Sequence, residues 1–169
     1  MQENLEELAR LISLSYGQLL RITDHDAGKP VRPGKWSFKE ILGHLIDSAS
    51  NNHQRIVRSM GAPEISFPAY RQTEWVTLQQ YKNRPWVELV SLWRCYNLHL
   101  LHVISGIPTG ALSHSMTIGE GAPLTLKQLT VEYTTHLRHH LEQIIPPHQQ
   151  QPERPTDGEG RMTTSEKSE

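Results

Sequence analysis

The chain has 169 residues and a formal net charge of -1, from 17 Lys and Arg against 18 Asp and Glu, which is the size of one domain and leaves no bulk charge for nucleic acid or an anionic membrane. Cys95 is the only cysteine, which excludes an internal disulfide and fits a reducing cytoplasm. No apolar run approaches the roughly 20 residues of a membrane span, and the opening MQENLEELAR contains acids where a secretion signal would be basic and then apolar. The expectation is a cytoplasmic protein whose partner is a small molecule.

Helical periodicity runs first from about Glu3 to Thr23, with Leu5, Leu8, Ile12, Leu19 and Ile22 near one face. The Gly/Pro-rich DHDAGKPVRPG that follows reads as a turn. A second helix begins at Ser37, where Ser37 and Glu40 have capping-box spacing and Trp36 with Ile41 fits the accompanying staple. Steps of about 100° per residue put Phe38, Ile41, Leu45, Ala49 and Ile56 in one apolar sector and His44, Ser48, Asn51 and Arg55 on a separate line.

A long connection, GAPEISFPAYRQTEWVTLQQYKNR, covers a site or simply packs on the surface. It leads into a third helix from about Pro85 to Ile104 with a stripe of Trp86, Leu89, Trp93, Tyr96, Leu100 and Ile104. His99 and His102 fall off that stripe with no acid or cysteine beside them, and read as a solvated face. Cys95, on the same helix, reads as packing and not as a nucleophile. After a second glycine- and proline-marked connection, Thr125 and Gln128 repeat the capping box and Leu124 with Leu129 the staple, so the last helix covers Leu126 to Ile144 and stops at Pro146 and Pro147. Sustained strand alternation is weak throughout. Residues 1–146 are expected to fold as one domain, and residues 147–169, too polar to offset the entropy of ordering, to form a flexible tail.

Ten histidines invite a metal hypothesis, and placement decides which of them can converge. His136 and His140 are one helical turn apart, so both imidazoles can reach one ion. His139 points nearly opposite and reads as a bystander. His44, off the apolar sector of a capped helix and beside small Ser48, is the best third ligand. Three neutral nitrogens suit zinc, nickel or a related divalent ion and leave positions open to water or substrate.

HLIDSASNNHQRIVR, the later PAYRQTEW and the terminal YTTHLRHHLEQI together resemble the DinB/YfiT-like superfamily of metal-binding four-helix bundles, in its YfiT-like branch, over roughly Glu3 to Ile145. The resemblance implies an all-α, antiparallel four-helix bundle with long connections. It also implies a divalent metal, commonly zinc or nickel, held by His44, His136 and His140 between the second and fourth helices. The implied activity is that of a metal-dependent hydrolase, or of a transferase using a low-molecular-weight thiol such as bacillithiol, mycothiol or glutathione.

In such a site the ion activates a water or a thiol. Asn51 and Arg55 either orient a polar or anionic ligand or are solvated. Asp47 orients a ligand imidazole from behind or lies in solvent. Tyr70 and Trp75 wall the pocket or merely pack. The alternative to an enzyme is a noncatalytic metal-binding or dimerisation bundle, and a homodimer through the aromatic-rich helices is a further expectation.

Overall fold

The computed structural model describes residues 1–145, so the expected polar tail at 147–169 lies outside the described residues. Four long helices carry the fold: α1 (Gln2–Leu19), α3 (Phe38–Met60), α5 (Trp86–Ser105) and α6 (Leu126–Ile144). Two short helices, α2 (Asp24–Ala27) and α4 (Gln72–Gln79), sit in the connections. The molecule is thus the four-helix bundle expected from its sequence. α3 packs against α5 and α6, α1 packs against the same two helices, and α1 and α3 lie on opposite corners of the bundle.

Both expected capping boxes are formed. The Ser37 backbone N–H and hydroxyl donate to Glu40 at 2.8 Å each, and the Thr125 N–H donates to Gln128 Oε1 at 2.8 Å. These bonds satisfy donors that a helix start otherwise leaves unpaired, and they set where α3 and α6 begin. α1 ends at Leu19, short of the expected Thr23, because Thr23 caps the separate turn α2 by accepting from the Asp26 N–H. Asp24 then ties three elements together: its carboxylate accepts from the buried Lys39 at 2.9 Å and from the Trp86 backbone N–H at 2.7 Å. Pro85 precedes α5 as its cap residue.

The core is the shared interior of the bundle. Leu8, Ile12 and Leu19 of α1, Leu42, Leu45 and Ile56 of α3, Trp93 and Leu100 of α5, and Leu126, Leu137 and Leu141 of α6 are all buried in it. Each such side chain contributes on the order of 1.5–3 kcal/mol of transfer free energy.

The two long connections are not irregular throughout. Glu64–Phe67 (β1) pairs in parallel with Ser115–Ile118 (β2), which pairs antiparallel with Leu124–Thr125 (β3). This small sheet stitches the connection after α3 to the one before α6. His114 reinforces the seam by donating from Nδ1 to the Ser59 carbonyl at 2.7 Å. Among the described residues no helix is long and apolar enough to cross a membrane.

Candidate metal centre

His44 lies two turns into α3, in a run from Ile41 to Ala49 that is buried on every side. A helix wrapped this closely needs one small residue, and Gly43 supplies it: a Cβ there would fall 2.1 Å from Cδ2 of the Tyr81 ring. His136 and His140 project one turn apart from α6, the neighbouring helix.

The three imidazoles meet. Nε2 of His44 and Nε2 of His136 are 3.1 Å apart, and one potential ligand atom from each of His44, His136 and His140 lies within 4.8 Å of the others. Ring centroids are separated by 5.1, 4.8 and 4.6 Å around the triangle. Burial opposes charge on all three. It pushes His44 down to about 3, with the neighbouring His136 and His140 acting in the same direction, and His136 down to about 4. His140 is lowered as well, burial outweighing its bond to Gln143. The cluster is therefore three neutral nitrogen bases at pH 7.

A polar neighbour sets the tautomer of His140. The Gln143 amide oxygen can only accept, so His140 donates to it from Nδ1 at 3.3 Å and keeps the Nε2 lone pair free. Nδ1 of His136 lies 3.4 Å from Ser48 Oγ, which Asn52 Nδ2 also reaches at 3.3 Å. Nδ1 of His44 is buried and has no hydrogen-bond partner among the described residues. His139 is exposed on α6 and bonded to Gln143, outside the triangle.

A cavity of about 200 Å³ adjoins the cluster, with His136, Ser48, Asn52, Arg55, Tyr70 and Tyr133 in its lining. On the His44 flank, the Trp36 ring lies 5.4 Å away and helps to line a second hollow of about 690 Å³ that reaches Gln143. The imidazoles thus sit between two openings.

Other expected site residues are placed unevenly. Arg55 is buried, not solvated, and faces the 200 Å³ cavity. Tyr70 lines the same cavity, and burial raises its phenol to about 12. Trp75 is 38% exposed; its ring packs 5.0 Å from Tyr70 and it lines an outer cleft, which it shares with Asn51. Asn51 donates to the Asp47 carbonyl at 2.9 Å and does not line the cavity beside His136.

Asp47 neither orients a ligand imidazole nor lies in solvent. It is buried, and Oδ1 accepts from the Tyr81 hydroxyl at 2.7 Å and from Gln79 at 2.6 Å, with no bond to a histidine among the described residues. On α3, Asp47 turns toward the Tyr81–Asn83 turn while Ser48 turns toward α6, so Ser48 and not Asp47 stands behind an imidazole. Burial raises the Asp47 carboxyl, against the lowering by those two bonds.

Asn52 escaped the sequence reading. It follows Ser48 by one turn, donates from Nδ2 to the Ser48 backbone carbonyl at 2.9 Å, and accepts from Arg55 through Oδ1. That i, i+4 spacing was the available signal. Cys95 is exposed on α5 and takes no part in the cluster. His99 and His102 are exposed as expected, although the His99 ring packs 4.9 Å from His53 of α3.

Comparison with known proteins agrees with this geometry. The chain is 22% identical over 145 residues to a protein of Halalkalibacterium halodurans named "Putative metal-dependent hydrolase", covering 83% of this chain and 81% of that one. It is 21% identical over 123 residues to an Oceanobacillus iheyensis protein of the same description, covering 73% and 70% of the two chains. The solved structure of YfiT from Bacillus subtilis, described as a probable metal-dependent hydrolase with an unusual four-helix bundle topology, superposes with a TM-score of 0.77 at 18% identity over 85% of this chain and 82% of that one. The model of the DinB superfamily matches residues 2–144, and with its bundle and its clustered histidines the chain belongs to that superfamily.

Proposed function

We propose that the protein is a metal-dependent enzyme acting on a small molecule, with His44, His136 and His140 as the ligands of one divalent cation, zinc or nickel. The convergence of three neutral imidazoles from two helices, beside a cavity, carries the reading. The donor set fits the ion. Nitrogen ligands bind zinc at about 2.0–2.1 Å, so two nitrogens 3.1 Å apart can share one cation, and the third imidazole has a ligand atom within 4.8 Å of both. With no carboxylate or thiolate in the cluster, borderline nitrogen-preferring metals are favoured over calcium or magnesium.

Bound there, the cation would act as a Lewis acid, lowering the pKa of a water or thiol in its open position. The chain's own residues do the rest. Burial keeps the imidazoles unprotonated, Gln143 and Ser48 hold the His140 and His136 rings, and Tyr70 and Arg55 bound the space a substrate would enter. Asn51 and Trp75, in the adjoining cleft, would contact the outer part of a larger substrate.

The names of the curated relatives favour hydrolysis as the reaction. Transfer to a low-molecular-weight thiol would use the same ligands and the same cavity. The two are separated by assaying the zinc- and nickel-loaded protein on ester, amide and alkyl halide substrates, with and without glutathione, bacillithiol or mycothiol. Turnover without thiol identifies a hydrolase, and turnover only with thiol a transferase. Stoichiometric metal with no turnover of any kind would leave a noncatalytic metal-binding bundle and overturn the enzymatic reading.

A further inference from the structure

Arg55 is 8% exposed, yet no carboxylate of the described residues pairs with it. Its one hydrogen bond is a long one, 3.5 Å from NH1 to the Asn52 side-chain oxygen. Its other guanidinium nitrogens remain open to the cavity, so a ligand there can supply the counter-charge that the described residues do not. Such a group is retained where a ligand supplies the missing charge.

The setting is built for that ligand. Asn52 is itself fixed by two bonds to Ser48, at 2.9 Å to its carbonyl and 3.3 Å to its hydroxyl, so its side-chain oxygen is held toward the guanidinium. Ser48 in turn adjoins His136. Arg55, Asn52, Ser48 and His136 therefore form a continuous polar wall of one cavity of about 200 Å³, running from a permanent cation to the three-histidine cluster.

We propose that the molecule transformed at the cluster carries a single carboxylate, received by Arg55, while its reactive carbon is presented to the His136 end of the cavity. The planar two-N–H fork of arginine matches a carboxylate's two oxygens. A phosphate dianion would bring two charges to one guanidinium, in a cavity whose lining also holds the acidic Glu132. The volume admits a small acid, and the rest of a longer one would extend into the adjoining cleft. This inference deepens the metal-dependent reading and rests on it for the chemistry, but the binding of the carboxylate can be tested apart from the metal.

The probes are butyrate, butyramide and inorganic phosphate, titrated by calorimetry and by the Arg55 Nε–H NMR signal into the full chain, both zinc-loaded and stripped with chelator. Butyrate is expected to bind the stripped chain and shift the Arg55 signal, with butyramide and phosphate at least about tenfold weaker, the size of a charge-assisted bond. Arg55→Met and Arg55→Lys should each lose at least about tenfold in butyrate affinity while holding zinc in unchanged ratio.

Butyrate that fails to bind, binds no better than butyramide or phosphate, or binds Arg55→Met as it binds the native chain would overturn the proposal. Should Arg55→Met not fold, the acid-against-amide comparison on the native chain decides alone. A chain that binds butyrate through Arg55 but takes up no zinc would refute the metal reading and leave only the carboxylate site standing.

Discussion

Gly43 shows how little freedom the residues around the cluster have. Any side chain there drives into the Tyr81 ring, whose hydroxyl holds buried Asp47. Gly43→Ala is expected to destabilise the protein by about 1–3 kcal/mol through overpacking, read as a lower urea midpoint, and to weaken metal uptake because His44 is the next residue. Tyr81→Phe removes a bond to a carboxyl whose other oxygen has no partner among the described residues, and should cost about 1–3 kcal/mol. An unchanged urea midpoint in both variants would show that this packing does not hold α3 in place. At this scale the histidines were legible, because helical spacing alone puts His136 over His140 and takes His44 off the oily face. Asp47 and Asn52 were not. They lie on opposite flanks of the His44 line, and which flank meets α6 depends on how the helices are arranged around the bundle, which periodicity does not encode.

Among the elements, the helix starts were the most legible feature, since a capping box is a local chemical pattern and needs no tertiary partner. Ser37→Ala and Thr125→Ala should each cost about 1 kcal/mol, with Ser37 at the upper end because it is fully buried. Equilibrium urea unfolding of the two variants checks this, and no loss in Ser37→Ala would mean that α3 is positioned by packing alone. The small sheet was hidden for the opposite reason. Glu64–Phe67 and Ser115–Ile118 are four residues each, too short for alternation to register, and they pair across some fifty positions of sequence that include all of α5. Likewise the aromatic connection shows no helical pattern in its sequence although Gln72–Gln79 is helical, because a single short helix with little amphipathic contrast leaves no periodic trace.

The bundle as a whole places consecutive long helices α1 and α3 on opposite corners, so α3 is flanked by α5 and α6 and can offer His44 to the latter. This arrangement fixes the pH response of the metal-free protein. The three imidazoles are lowered from the 6.5 of an unfolded histidine, His44 to about 3 and His136 to about 4, so between those values the unfolded chain binds more protons. Their contribution to stability is therefore complete above pH 6.5 and is lost progressively as pH falls below it. Asp47, raised by burial, acts in the opposite sense, but it is one carboxyl against these three imidazoles and His53, which burial also lowers. In chelator, the urea midpoint should fall between pH 7 and pH 5, before the acid-lowered carboxylates of Glu7, Asp24 and Glu40 begin to matter. His44→Gln should flatten that slope; an equal slope in the variant would place the acid sensitivity elsewhere.

The most direct test of the central claim is the metal content of the untagged protein after dialysis against limiting zinc or nickel, compared among the native chain, His44→Ala, His136→Ala, His140→Ala and His139→Ala. One equivalent in the native chain and in His139→Ala, with loss in each of the other three, is the expected result. A full equivalent retained by all three variants would contradict it and leave the bundle without the centre described for it.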